Sequence, residues 1–316
     1  GLCSSACPSD VNYPRFILGL RAEALQSGRE KIHLSELEQM FLEGERNEDY
    51  GIYREVKAAK TAIKGQNGGV VTSLLVEGMK NGFFDSAIVV RKGILPQVEA
   101  VMAEEESDVI AARGTKYQLV PVPGKLVEAI KEKGKKKIAV VGLPCQVAGI
   151  REIQKAMPDM DLFVIGLFCM ENFPYKSMQC LVEDHAGQKL ESVKKIEIGK
   201  GKYWVYTERG NVVTLPLKVT HKYEQPGCHV CLDYVSNLAD IPTGSVGSPD
   251  GRNTVVVRTQ VGNDVWSQIP AAGMVETKPI EPGGEKPPTG LKGVGALAKE
   301  KIDKNKKHVE ERKTFG

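Results

Sequence analysis

Lys137-Ile-Ala-Val-Val-Gly-Leu-Pro-Cys-Gln146 and, further on, Leu162-Phe-Val-Ile-Gly-Leu-Phe-Cys-Met-Glu-Asn172 share one form, a short apolar run followed by a loop that carries a cysteine. Both runs are short and contain β-branched residues, so Lys137 to Val141 and Leu162 to Leu167 read as strands. Working outward, Ala87 to Val90 is another such run, while Gly124 to Lys133 and Tyr175 to His185 space their apolar residues at helical period. Short strands alternating with helices predict an α/β core. Later, Tyr203 to Thr207, Val212 to Leu217 and Thr254 to Arg258 carry β-branched and aromatic residues without long helices between them. The expectation is a mixed α/β core with an added antiparallel strand region.

Composition separates the flanks from this core. Residues 1–48 are polar and read as a helical N-terminal extension, with Ser35 and Glu38 spaced as a capping box before Leu37, Met40, Phe41 and Leu42. Residues 49–278 form the core. Residues 279–316 begin with a Pro- and Gly-rich run, Pro279 to Gly295, and end in a basic tail where eight Lys/Arg face four Asp/Glu between Lys292 and Lys313. That tail reads as a solvated helix, with subunit docking as the alternative.

At 316 residues and 41% hydrophobic, the chain has material for a substantial core. Its 43 basic and 40 acidic residues are too balanced for nucleic acid to be the main partner. The longest apolar stretch, Leu162 to Met170, is far below the ~20 residues that span a bilayer, so no membrane span is expected. No basic-then-apolar leader is apparent, and seven cysteines in a chain this size do not form a small disulfide scaffold. A reducing, cytoplasmic setting is expected.

Four cysteines carry the chemistry. Cys228 and Cys231 lie in Pro-Gly-Cys-His-Val-Cys, a spacing that presents two thiolates to one centre from a tight turn. Cys145 and Cys169 follow strand ends, and adjacent strand ends at the carboxyl edge of an open α/β sheet face one crevice. One pair plus two scattered cysteines suits an iron–sulfur cluster better than zinc, whose modules commonly use two close pairs. The plain alternative is that Cys145 and Cys169 are small buried hydrophobes.

A second constellation is glycine-rich. Gly65-Gln-Asn-Gly-Gly-Val-Val-Thr72 opens a helical pattern, placing backbone amides where anions bind, although no strand clearly precedes it and a simple helix start is the alternative. Ala112-Arg-Gly-Thr-Lys-Tyr117 offers a cation and hydroxyls, and Thr243-Gly-Ser-Val-Gly-Ser-Pro-Asp-Gly251 permits close backbone approach. Three such loops in one domain suggest a bound nucleotide cofactor.

The segments Asn67-Gly-Gly-Val-Val-Thr, Arg113-Gly-Thr-Lys-Tyr, Leu143-Pro-Cys-Gln, Cys169-Met-Glu-Asn-Phe-Pro, Gly199-Lys-Gly-Lys-Tyr-Trp-Val-Tyr-Thr and Gly244-Ser-Val-Gly-Ser-Pro-Asp-Gly closely resemble the β subunit family of coenzyme F420-reducing hydrogenase. The resemblance runs from about Gly51 to Lys278. Related F420-oxidising subunits serve formate dehydrogenase and the F420H2 dehydrogenases of methanogenic archaea, and the amino-terminal half of F420-dependent sulfite reductase shares the pattern.

This resemblance implies FAD beside a [4Fe–4S] cluster, with coenzyme F420 as substrate over the flavin. It assigns the cluster to Cys145, Cys169, Cys228 and Cys231. Flavin contacts carry over to Gly68, Gly69, Thr72, Gly114, Thr115 and Lys116, and also to Asn172, Ser245, Ser248 and Asp250. The implied activity is an F420-dependent oxidoreductase that needs no catalytic side chain, because flavin exchanges hydride on one side and single electrons on the other. Expected partners are F420 and the electron-transferring iron–sulfur subunits of a hydrogenase, dehydrogenase or reductase complex. The competing function is a non-catalytic iron–sulfur or zinc-stabilised adaptor. Neither direction of electron flow nor the particular complex is encoded here.

One departure stands at the front. Cys3, Cys7 and Pro8 resemble the end of a ferredoxin run, Cys-x2-Cys-x2-Cys-x3-Cys-Pro, so either its first half lies upstream or these cysteines are remnants. Elsewhere, His229 reads as an exposed loop residue, Cys180 as core, and Trp204 as strand packing rather than a flavin stacker. His185 and His221 show no carboxylate partner in sequence.

Overall fold

A computed structural model describes residues 13–93, 97–271, 275–284 and 288–311; Cys3, Cys7 and Pro8 lie outside the described residues. Helices α1 (Tyr13–Gln26) and α2 (Arg29–Phe41) lead into a hairpin of β1 (Glu45–Asn47) and β2 (Gly51–Tyr53). Then come β3 (Glu55–Thr61), α3 (Val70–Lys80), β4 (Ser86–Lys92), β5 (Val98–Ala103), α4 (Glu106–Ala111) and α5 (Val122–Lys133). The middle holds β6 (Lys137–Gly142), α6 (Pro144–Ala156), β7 (Asp161–Leu167) and α7 (Tyr175–Gln179), which continues as a π-helical turn over Cys180–His185. The remainder is β8 (Val193–Gly199), β9 (Lys202–Thr207), β10 (Val212–Pro216), β11 (Ile241–Gly244), β12 (Asn253–Val257), α8 (Gln260–Ala271), β13 (Val275–Lys278) and α9 (Gly290–Glu311).

An eight-stranded mixed sheet runs in the order β13-β3-β12-β11-β7-β6-β4-β5. Its centre, β11-β7-β6-β4, is parallel. Because β12 is antiparallel to both β11 and β3, β3 points the same way as the parallel centre. Burial on both faces explains the unbroken apolar runs of β6 and β7. Ala139, Phe163 and Ile165 pack with Val70 and Leu74 of α3 and Trp266 of α8. Their alternates Ile138, Val140, Leu162 and Val164 pack on the opposite face with Leu126, Val147 and Ile150 of α5 and α6, and with Leu37 of α2. The antiparallel region is a separate meander, β10-β9-β8, whose Tyr203 and Val205 cover Phe173, Met178, Leu181 and Val182.

The structure corrects several local readings. Helix α2 begins at Arg29 after left-handed Gly28, so Ser35 is in mid-helix and no capping box exists there; Leu34, Leu37 and Phe41 carry one apolar face straight through it. A strand does precede the glycine loop, namely β3, where the buried Ala58 and Ala59 give little strand signal among charged neighbours. Thr254 to Val257 belongs to the large sheet, between β3 and β11, rather than to the meander. The basic tail is not a merely solvated helix: Val294, Lys301, Asn305 and Val309 of α9 are buried.

Candidate cofactor site

The strands that share one direction bring their carboxyl ends to one edge. Thr61 of β3, Gly244 of β11, Leu167 of β7 and Gly142 of β6 therefore open onto the same side, the edge where α/β sheets build crevices. The glycine loop follows the first, the Ser245–Gly251 loop the second, Cys169 the third and Cys145 the fourth. Both constellations seen in the sequence thus lie along one edge.

The cysteine loops are tied to one another. Gln225 N donates to the Asn172 carbonyl at 2.8 Å and Cys228 N to the Gln225 carbonyl at 2.8 Å, which joins the Cys169 loop to the Cys-x2-Cys turn. The thiols of Cys169, Cys228 and Cys231 lie within reach of the carbonyls of Glu171, Asn172 and Asp233 at 3.6, 3.9 and 3.6 Å. Cys145 stands exposed in the first turn of α6, whose entry is fixed by Gln146: its Oε1 accepts from Leu143 N at 3.0 Å and its Nε2 donates to the Val120 carbonyl at 2.7 Å.

The thiols feel one another's fields. Although the Cys145 residue reaches solvent, the protein atoms crowded around its sulfur desolvate it and, with neighbouring Cys231, push the thiol up to about 11. Burial pushes Cys228 up to about 12, opposed by a backbone hydrogen bond at Asn172 and by Lys301, with Cys231 and Cys145 adding to the rise. Burial also holds Cys169 well above the ordinary thiol range against the pull of Lys301. Iron held by these sulfurs would reverse the shifts and hold them as thiolates. Among the described residues no three His, Cys, Asp or Glu side chains close around a single metal ion. The fit to a metal centre therefore rests on the donor set and its shared field, not on a finished coordination shell.

The helix α9 supplies a wall that the sequence reading missed. Lys301 Nζ donates to the carbonyls of Cys169 and Asp233 at 2.6 and 2.7 Å. Asn305 Nδ2 donates to the carbonyls of Cys228 and Cys231 at 2.7 and 2.6 Å. Lys304 pairs with Glu224 at 2.7 Å and Glu171 at 3.5 Å. A lysine and an asparagine in register with Val294 and Val309 on a buried helical stripe were the available signal. His229 is not an exposed loop residue: it stacks on His308 with centroids 4.4 Å apart and faces Glu224 at 3.4 Å.

The glycine loop is held by the chain's own backbone. A Cβ on Gly68 would collide with the Ala59 carbonyl and with Asn253, and one on Gly69 with the Ile63 carbonyl and Thr61 Oγ1; Gly69 also has φ 75. Internal packing therefore demands both glycines, whatever binds there. Gly69 begins α3 with no side-chain cap, so the amides of the first turn are available to an anion. Thr72 is buried in that turn.

Two amides gather the other loops. Gln66 Oε1 accepts from Thr115 N at 2.9 Å while its Nε2 donates to the Ile196 carbonyl at 3.1 Å, clipping the Gly114–Lys116 loop and the meander to the glycine loop. Asn253 Nδ2 donates to the Gly244 carbonyl at 3.3 Å beside Gly68. Gly114 has φ 89 with open space around it, and Lys116 turns its ammonium onto the carbonyls of Ala112 and Arg113. Burial, reinforced by Lys92, lowers Lys116 to about 8.

The remaining candidates are more dispersed. Ser248 shares a 2.8 Å hydrogen bond with Thr254, Ser245 is exposed, and exposed Asp250 faces Lys200 at 3.5 Å. Asn172 is buried with its side chain turned onto Phe173 N at 2.8 Å. It marks the junction between the two constellations, because Phe173 exchanges backbone bonds with Tyr117 and Leu119 at 3.0 and 2.9 Å. Cys180 is partly buried, and His185 meets Tyr223 Oη at 2.8 Å. Trp204 lies on the partly exposed side of β9, opposite Glu197 and Thr214.

Two sequence profiles of the coenzyme F420 hydrogenase/dehydrogenase family match the chain, one for the amino-terminal part of its beta subunit at residues 53–126 and one for the carboxy-terminal part at 135–283. The coenzyme F420 hydrogenase subunit beta of Methanosarcina barkeri is 56% identical over 260 residues, which is 80% of this chain and 88% of that protein. The protein of the same name from Methanothermobacter thermautotrophicus is 41% identical over 278 residues, 84% and 97% of the two chains. A chain in the xenon-derivatised F420-reducing [NiFe] hydrogenase complex from Methanosarcina barkeri matches with TM-score 0.79 and 51% identity, over 86% of this chain and 96% of that one. The mixed sheet, the ordered motifs and these matches agree, and the chain belongs to the coenzyme F420 hydrogenase/dehydrogenase beta subunit family.

Proposed function

We propose that this chain is the F420-oxidoreducing subunit of a redox complex, holding FAD at the glycine loops and a [4Fe–4S] cluster on Cys145, Cys169, Cys228 and Cys231. One observation carries the reading: a single sheet edge gathers both constellations, and the Tyr117–Phe173 backbone contact joins them. The relatives are named as subunits of F420 hydrogenase and F420H2 dehydrogenase, which are oxidoreductases.

The flavin supplies interconversion of a hydride and single electrons, and the cluster supplies one-electron storage at thiolate-bound iron. The protein's residues position and exclude. Amides of Gly69 and the first turn of α3, with Thr72, would hold the pyrophosphate; Gly68 lets the loop lie close; Gly114, Thr115 and Lys116 would border the same group. Asn172, Ser245, Ser248 and Asp250 would line its further rim. Half-buried Tyr117, whose phenol desolvation pushes up to about 12 and which lies in the field of Cys169, stays neutral and would stand between the glycine loops and the cysteine loops. No helix of the described residues is long and apolar enough to cross a membrane.

The test is anaerobic purification of the full chain followed by its visible spectrum and analysis for flavin, iron, sulfide and zinc. Flavin bands over a broad iron–sulfur absorbance are expected. A colourless protein containing zinc overturns the proposal in favour of an adaptor.

A further inference from the structure

The least expected feature of the site is a buried lysine. Lys301 is 2% exposed, and no described carboxylate pairs with it; the nearby Asp233 carboxylate is occupied by Asn237 N and Nδ2 at 2.8 and 3.2 Å. A buried ammonium without a counter-ion is costly, and at this helical position a leucine or methionine would pack at less cost. Its ammonium lies instead against the cysteine loops, donating to the carbonyls of Cys169 and Asp233.

Asn305 is buried one turn further along the same face, at 2% exposed. Its two N–H groups reach the carbonyls at both ends of the Cys228–Cys231 turn. Together the two side chains hold the backbone of three of the four cysteines. Both lie beyond residue 283, where the family match ends.

We propose that α9 is a clamp on the cluster site, in which Lys301 and Asn305 are positioning residues: Asn305 holds the Cys-x2-Cys turn, and Lys301 fixes the Cys169 loop while supplying a positive charge that favours the reduced cluster. The inference rests on the cluster assignment made above. Its physical basis is that cluster potentials respond to net charge and hydrogen bonding around the sulfurs, and that a thiolate-bound cluster gains negative charge on reduction.

The experiment uses the full chain, loaded anaerobically with iron and sulfide, as wild type, Lys301→Met, Lys301→Arg and Asn305→Leu. Circular dichroism verifies folding, a redox titration followed by visible absorbance gives the midpoint, and a chelator challenge gives the rate of iron loss. In Lys301→Met the midpoint should fall, with the reduced-to-oxidised ratio at the wild-type midpoint dropping about tenfold, or about 59 mV for one electron. Lys301→Arg should restore it. Asn305→Leu should lose iron about tenfold faster, the scale expected for two lost buried hydrogen bonds. If Lys301→Met does not fold, Lys301→Gln keeps a donor, removes the charge and carries the same expectation. A wild-type chain that binds no iron overturns the cluster assignment and this inference with it. A wild-type cluster whose midpoint and iron retention are indifferent to these substitutions overturns the clamp alone.

Discussion

Replacing Asp240 with alanine strikes the joint that fixes helix α6 to strand β7 of the sheet. Asp240 is 2% exposed and accepts from Arg151 Nη2 at 2.8 Å, Thr259 Oγ1 at 2.8 Å and Val164 N at 2.6 Å. Arg151 is itself 1% exposed and also donates to the Leu238 carbonyl at 2.8 Å. Truncation strands the guanidinium without a counter-charge, which costs about 3–5 kcal/mol. It also orphans the Val164 amide in the centre of the sheet, worth about 1–3 kcal/mol, and the two losses overlap because they share one side chain. The expected loss is about 4 kcal/mol, a large part of the ~5–15 kcal/mol that stabilises a typical fold. Urea unfolding followed by circular dichroism measures it as a lower midpoint at unchanged slope. The double variant Arg151→Met with Asp240→Leu should recover much of the loss, since no charge remains buried. A loss below about 1 kcal/mol in Asp240→Ala, or no recovery in the double variant, would refute the reasoning.

Other outcomes follow from the same geometry. Leu37→Ala should cost about 2–5 kcal/mol in the same assay, because this residue of α2 is 1% exposed against the sheet. With Lys116 lowered to about 8 by burial and Lys92, its charge is present below that pH and lost above it. An anionic cofactor prefers the charged form, so FAD affinity measured by fluorescence should fall as pH rises through about 8, and the dependence should flatten in Lys116→Met. Serine at Cys145, Cys169, Cys228 or Cys231 should cause comparable iron loss by elemental analysis, whereas Cys180→Ser should retain iron.

How far the sequence could be read depended on the range of the interaction. Strands β6 and β7 were legible because both faces are covered, which makes their apolar runs continuous, and the cysteines after them reported the sheet edge. β3 was not, since the sheet buries it through Ala58 and Ala59, whose small side chains leave charged neighbours to dominate the pattern. The glycine loop was legible as a helix start, but the reason for Gly68 and Gly69 lay in the carbonyls of Ala59 and Ile63, a contact that only the folded loop reveals. The C-terminal helix was misread because charge counting treats Lys301 like Lys299; the first reaches two carbonyls across the fold and the second is exposed to solvent. His229 failed for the same reason, its stacking partner being His308 of α9.

The central claim is that hydride acceptance and single-electron delivery occur at adjoining but separable sites on this chain. Anaerobic stopped-flow mixing of F420H2 with the FAD- and iron-loaded chain, with and without viologen dye, measures both in one experiment. Wild type should show rapid flavin bleaching and steady dye reduction, and Cys145→Ser should keep the bleaching while dye reduction collapses. Normal iron content and normal dye turnover in Cys145→Ser, or no flavin bleaching in wild type, would contradict the account.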